Sequence, residues 1–202
     1  MIYDNFVMKE IIYNEENSIV TLGEDNTCIK RVDLPKCFRR LDNEAKCLIL
    51  LDGYIAPKLI EYSSESHELR MEYINGLTLP QYVDKYGKIP RYFFAKVAKN
   101  LLELLDKGIE YGGDRKINEH FLIIEEKQDI RIIDFGVSNI IQGDNERKER
   151  WKTSYKSDFA FVFEDADKEA IEYSKSEIRR KLSSYGINNE IIDEYFNDYD
   201  KI

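Results

Sequence analysis

Cysteine is scarce in this chain of 202 residues: Cys28, Cys37 and Cys47 are the only three. The number is odd and no CxxC pair occurs, which argues against a disulfide framework and against a zinc ribbon. A reduced, cytoplasmic protein is the expectation. Long apolar runs are also missing. The longest, around Cys47 to Leu51, has the length of a buried helix segment and not of a membrane span. The opening residues MIYDNFVMKEII carry Asp4, Lys9 and Glu10, so they contain no signal-peptide core. Positive charge is in deficit, with 30 basic residues against 39 acidic ones and a formal charge of −9. That balance argues against a general nucleic-acid coat, which needs a basic surface. Only four prolines and ten glycines occur, with no Pro/Ser-rich linker and no internal repeat.

What is present is ordinary for a globular chain: 43% hydrophobic and 34% charged residues. The length corresponds to one large domain or two small joined ones, with enough chain to bury a core. The first third reads as strands. "FVMKEIIYN", "SIVTLGED" and "NTCIKRV" are β-rich runs separated by polar residues and predict an antiparallel meander. A helix then begins near Cys37, with Leu41, Ala45, Leu48 and Leu51 on one face and its end before Gly53. "APKLIEYS" and "HELRMEYI" are two further strands. From Leu79 to Gly108 the spacing is helical. "FLIIEE" and "IRIIDFG" flank Lys127-Gln128-Asp129 as a hairpin, and the chain from about Asp158 onward is helical again. A boundary near Asn75-Gly76 divides a strand-rich part, 1–75, from a helical part, 76–202. The fold class is α+β.

The sharpest motif is Asp134-Phe135-Gly136, directly after the apolar strand "IRII". Alone the tripeptide opens a turn; its company gives it meaning. "TCIK" places Lys30 on the third strand, Glu44 lies in the helix that follows, "MEYINGLTL" follows the fifth strand, and Asp114 precedes the hairpin that leads into Asp134. In order and approximate spacing the set resembles the protein kinases. The chain is similar to the eukaryotic-like protein kinase superfamily over roughly 8–162, and most similar to its small atypical members, the Rio-like and short prokaryotic predicted Ser/Thr kinases.

The resemblance implies a bilobal kinase-like fold with an abbreviated C-terminal lobe, and an ATP- and Mg²⁺-dependent phosphotransferase acting on Ser/Thr of a protein. Lys30 would pair with the nucleotide phosphates and Glu44 would hold Lys30. Met71, Glu72 and Tyr73 would meet the adenine, largely through backbone groups. Asp114 would be the catalytic acceptor of the hydroxyl proton. Asp134 would bind the metal. Asp158, in "SDFAFV", would hold the backbone of the catalytic loop.

Three departures qualify that set. Where the family has a glycine-rich phosphate loop, this chain reads Tyr13-Asn14-Glu15-Glu16-Asn17-Ser18, with two carboxylates and no glycine to let backbone N–H groups approach phosphate. The catalytic loop, Tyr111 to His120, is irregular, and its alignment leaves Asn118, Glu119 and His120 as alternatives for the second metal ligand. An imidazole there would favour Mn²⁺ over Mg²⁺. No APE follows Asp134; instead 145–156, NERKERWKTSYK, carries five bases. It reads as a docking surface for a protein substrate or regulatory partner, or as a solvated loop, with Thr153, Ser154 and Tyr155 as candidate phosphorylation positions. These departures keep a second function class open: a pseudokinase that senses nucleotide or binds a partner. A small-molecule kinase is a third reading, disfavoured by Phe135-Gly136. The acidic tail places Ile191, Ile192, Tyr195, Phe196 and Tyr199 on one helical face, for packing on the helical part.

Overall fold

The β-branched and aromatic runs of the first third pair into one sheet. In a computed structural model, which describes residues 10–15, 18–23, 25–112 and 116–199, strands β1 (Glu10–Glu15), β2 (Ser18–Leu22) and β3 (Thr27–Arg31) form the antiparallel meander. After helix α1 (Pro35–Leu51), strands β4 (Leu59–Ser63) and β5 (Glu68–Glu72) complete a sheet of order β1-β2-β3-β5-β4. The chain is thus mixed α+β with an antiparallel sheet. It divides between Asn75 and Gly76 into two units, and Ile133–Asn139 is counted with the first. That last assignment departs from a simple split at residue 76: seven residues of the second stretch of chain belong with the sheet.

In the first unit, α1 buries Cys37, Leu41, Glu44, Ala45, Cys47, Leu48 and Leu51. Six of these seven are apolar and recur at helical spacing, the stripe a helix needs to cover a sheet. Glu44 is the exception, and it matters below. The Tyr62 hydroxyl donates to Asp42, tying β4 to α1. The helix stops where Asp52 adopts a left-handed conformation and its N–H closes on the Leu48 carbonyl. All three cysteines are buried and unpaired. Burial, with the Glu44 charge next, pushes the Cys28 and Cys47 thiols up to about 12, so neither forms a thiolate readily.

The second unit is mainly helical. Helix α2 (Leu79–Tyr86) starts with a reciprocal cap: Thr78 N–H donates to the Gln81 side chain at 2.9 Å and Gln81 N–H returns to the Thr78 hydroxyl at 3.5 Å. Gly87, at φ +66°, ends it. Helix α3 (Phe93–Asp106) precedes the short strand β6 (Ile109–Glu110). Strands β7 (Phe121–Ile124) and β8 (Asp129–Ile132) form the hairpin, closed by a single turn of 3₁₀ helix at Glu125–Lys127 and Gln128 at φ +46°. Glu125 and Glu126 therefore lie in the turn and Asp129 in a strand, so the turn starts two residues and ends one residue earlier than predicted. A brief strand β9 (Asn139–Ile140) follows, then helices α4 (Asn145–Asp158), α5 (Lys168–Ser184) and α6 (Asn189–Tyr199).

The core of this unit is aromatic. Phe94 of α3 makes edge contacts with Phe161 at 5.7 Å and with Tyr195 of α6 at 5.5 Å between ring centroids, and Phe196 meets Phe161 at 5.3 Å. The tail thus packs inward on Ile192, Tyr195 and Phe196. One polar clip joins α3 to the hairpin: the Asn100 amide, 3% exposed, donates to the Ile130 carbonyl at 2.8 Å. Asn100→Ala strands that buried carbonyl, and urea unfolding should show a loss of about 1–3 kcal/mol.

Candidate functional site

Lys30 sits in the middle of the first unit's sheet. Its backbone pairs with Val20 on one side and Leu69 on the other, so its position is fixed by two neighbouring strands. The side chain is 14% exposed, and its ammonium meets two carboxylates: Glu44 Oε2 at 2.6 Å and Asp134 Oδ1 at 3.1 Å. Glu44 comes from α1 and is 3% exposed; Asp134 comes from a point 104 residues along the chain and is 42% exposed. Two carboxylates singled out from order and spacing are therefore within bonding distance of the lysine singled out with them.

Burial opposes the charge on Lys30, but the carboxylates of Glu44 and Asp134 outweigh it and hold the amine protonated well above its ordinary range. Burial pushes the Glu44 carboxyl up as well, opposed by Lys30 and by a backbone hydrogen bond from Phe135. The arrangement is a buried ion pair with a second, more exposed carboxylate leaning on it. Such pairs persist only where geometry and further hydrogen bonds offset desolvation.

The segment around Asp134 is fastened by side chains of α1. The amide of Asn43 donates to the carbonyls of Ser138 at 2.6 Å, Phe135 at 3.1 Å and Gly136 at 3.4 Å. Asp134 itself has φ +60°, a left-handed conformation that aspartate tolerates better than most residues. Gly136 runs close to α1, where an added Cβ would lie 3.3 Å from Arg40 Cβ. Phe135 is fully buried. Asn43 is absent from the residues predicted from sequence. Its one signal was an asparagine in a helix interior, where asparagine is a poor helix former and so needs another reason to be there.

Met71, Glu72 and Tyr73 lie at the end of β5, beside β3. Met71 is buried. The Glu72 N–H donates to the Lys58 carbonyl at 2.9 Å and the Tyr73 N–H to the Asn26 carbonyl at 3.3 Å. The N–H groups of Glu72 and Tyr73 thus already have backbone partners. The Glu72 carboxylate accepts from the Lys58 N–H at 3.1 Å.

The β1–β2 pairing brings Glu15 opposite Ser18, leaving only two residues between the strands. Glu16 and Asn17 lie outside the described residues, as does Asp114. Asn118 and His120 belong to the second unit. The Asn118 amide donates to Glu119 at 3.2 Å, while its Oδ1 is buried with no hydrogen-bond partner among the described residues. His120 Nδ1 shares a hydrogen bond of 3.0 Å with the Tyr111 hydroxyl. Among the described residues no group of three or more His, Cys, Asp or Glu side chains is placed to hold a metal.

The basic segment 145–156 is a helix and not a loop. Asp144 caps it, accepting from the Arg147 N–H at 3.0 Å. Arg147 pairs with the buried Glu110 at 2.5 Å, Lys148 with Asp106 at 3.2 Å, and Lys152 with Glu149 at 3.2 Å. Of its five bases, Arg150 and Lys156 are left without an acidic partner among the described residues. Tyr155 is fully buried, its hydroxyl donating to the Tyr111 carbonyl at 3.4 Å, which removes it as a modification site. Among the described residues no helix is long and apolar enough to cross a membrane.

Neither the protein-family models nor the curated protein sequences give a match to this chain.

The ion pair sets a stability prediction. Lys30→Met leaves Glu44 buried without its cation and should cost about 3–5 kcal/mol in urea unfolding, with Lys30→Met/Glu44→Gln recovering part of that loss. With its folded pKa raised, Glu44 binds its proton more tightly in the native state, so the Lys30→Met protein should gain stability as pH falls towards the ordinary glutamate range.

Proposed function

We propose that the chain is an ATP-dependent phosphotransferase of the protein-kinase type, with a bilobal fold whose helical lobe is abbreviated, acting on Ser or Thr of a protein. The observation that carries this reading is the meeting of Lys30, Glu44 and Asp134. A lysine in a central strand, fixed by a helix carboxylate and next to a more exposed aspartate, is suited to phosphoryl transfer, which depends on charge placement more than on covalent chemistry.

In this reading Lys30, held charged, takes the phosphate oxygens, and Glu44 keeps the ammonium from swinging away. Asp134 offers a partly exposed carboxylate, an oxygen donor of the kind hard divalent cations take, and Mg²⁺ needs only one or two protein ligands beside phosphate and water. That fits Mg²⁺, with Mn²⁺ as the alternative. The cation would neutralise charge on the transferred phosphoryl group. Asp114 would orient the acceptor hydroxyl. Arg150 and Lys156 of α4 are the cations left for docking a protein partner, and the buried thiols suit a reducing, cytoplasmic setting.

A second reading, a pseudokinase that binds nucleotide or a partner without transfer, is favoured by one observation. The turn joining β1 to β2 reads Glu15-Glu16-Asn17-Ser18, with two carboxylates and no glycine to let backbone N–H groups approach a triphosphate.

Thermal unfolding separates these readings. ATP with Mg²⁺ or Mn²⁺ at about 100 times its Kd should add about 2.7 kcal/mol of stability and raise Tm, and Asp134→Ala should remove the metal-dependent part. Transfer of the γ-phosphate to a Ser/Thr protein acceptor, lost in Asp114→Ala, marks the enzyme; binding without transfer marks the pseudokinase. No shift at millimolar nucleotide overturns the enzyme reading.

A further inference from the structure

We infer that Asn43 is a positioning residue, whose side-chain amide holds the segment Phe135–Ser138 on α1 and thereby sets where the Asp134 carboxylate stands. Three carbonyl oxygens, of Phe135, Gly136 and Ser138, converge on one Nδ2. Only the NH₂ end can face them, because an amide oxygen there would meet other oxygens. Two hydrogens serve the two shorter contacts, at 2.6 and 3.1 Å, and the third, at 3.4 Å, shares one of them.

The neighbouring residue explains why this matters. Glu44 follows Asn43 in α1 and carries the cation that Asp134 touches, so one turn of helix holds both ends of the Asp134 segment: Glu44 through Lys30 before it, Asn43 through the carbonyls after it. Asp134 is 42% exposed and lacks the tight enclosure that fixes Glu44. Its left-handed φ and the close pass of Gly136 over α1 give the segment a specific path, and the Asn43 amide joins the Phe135 N–H on Glu44 in keeping the chain on it. Helix propensity gives no reason for the residue, since alanine would serve α1 better.

Asn43→Asp is the decisive variant. It matches asparagine in shape but sets a carboxylate against three carbonyls. Hydrogen exchange followed by mass spectrometry should show the amides of 134–139 exchanging at least about tenfold faster, with those of β3 and the rest of α1 unchanged. A uniform change, or none, overturns the inference. The second readout rests on the kinase-type reading. In saturating ATP, the Mn²⁺ concentration giving half of the metal-dependent rise in Tm should increase about tenfold in Asn43→Asp, while the rise from ATP without metal stays that of the wild type. A merely structural asparagine would lower Tm and leave that midpoint alone, and an unchanged midpoint overturns the positioning role. If Asn43→Asp does not fold, Asn43→Ala, which removes the donor without adding charge, takes its place in both measurements. If the wild type shows no response to ATP and Mn²⁺, the kinase-type reading fails by itself, and the exchange result still decides whether Asn43 holds the segment.

Discussion

One ammonium shared by two carboxylates governs the first unit. Lys30 is carried by a central strand, Glu44 by the helix that crosses over after it, and Asp134 by a segment that returns from far along the chain. Removing a lysine and a glutamate from water costs several kcal/mol per ion, recovered only with close geometry and full hydrogen bonding. The strand must therefore be central, so that Lys30 does not move, and α1 must lie where Glu44 can reach it. A hydrophobic stripe alone would let α1 slide or rotate on the sheet. The ion pair removes that freedom.

The same requirement explains the division of the chain. Residues 133–139 group with the sheet although the chain on both sides of them belongs to the helical unit. Closing so long a loop costs conformational entropy, which grows slowly with length. It is offset by Lys30 on Asp134, by the Asn43 amide on three carbonyls and by the buried ring of Phe135. Each of these is local to a few residues of α1 or β3.

Periodic and spaced features were legible in the sequence. The five strands of the sheet, the apolar face of α1 and the inward face of α6 follow from residue type and period, and Lys30, Glu44 and Asp134 follow from their order. What escaped was set by partners distant in sequence. The 145–156 run looks like a solvated basic loop until Asp144 caps it and Asp106 and Glu110 take its charges. Tyr155 looks like a surface tyrosine until its ring is buried. The partners of the Glu72 and Tyr73 N–H groups, Lys58 and Asn26, are likewise set by the fold. Asn43 bonds only to backbone carbonyls some ninety residues away, and such partners leave no residue-type signature.

The charge at the site also constrains what it can accept on the proposed reading. One lysine faces two carboxylates, so the cluster is anionic before any ligand arrives, and the protein as a whole carries −9. A polyphosphate approaching alone must compete with Asp134 for Lys30 and meets net repulsion while doing so. A polyphosphate accompanied by a divalent cation would meet a different balance: Asp134 would serve the cation and Lys30 the phosphate, with Glu44 still holding the ammonium. The more exposed of the two carboxylates is the one that would make that exchange, and the more buried one would not. Metal dependence would then follow from the arrangement of one cation between a buried and a more exposed anion.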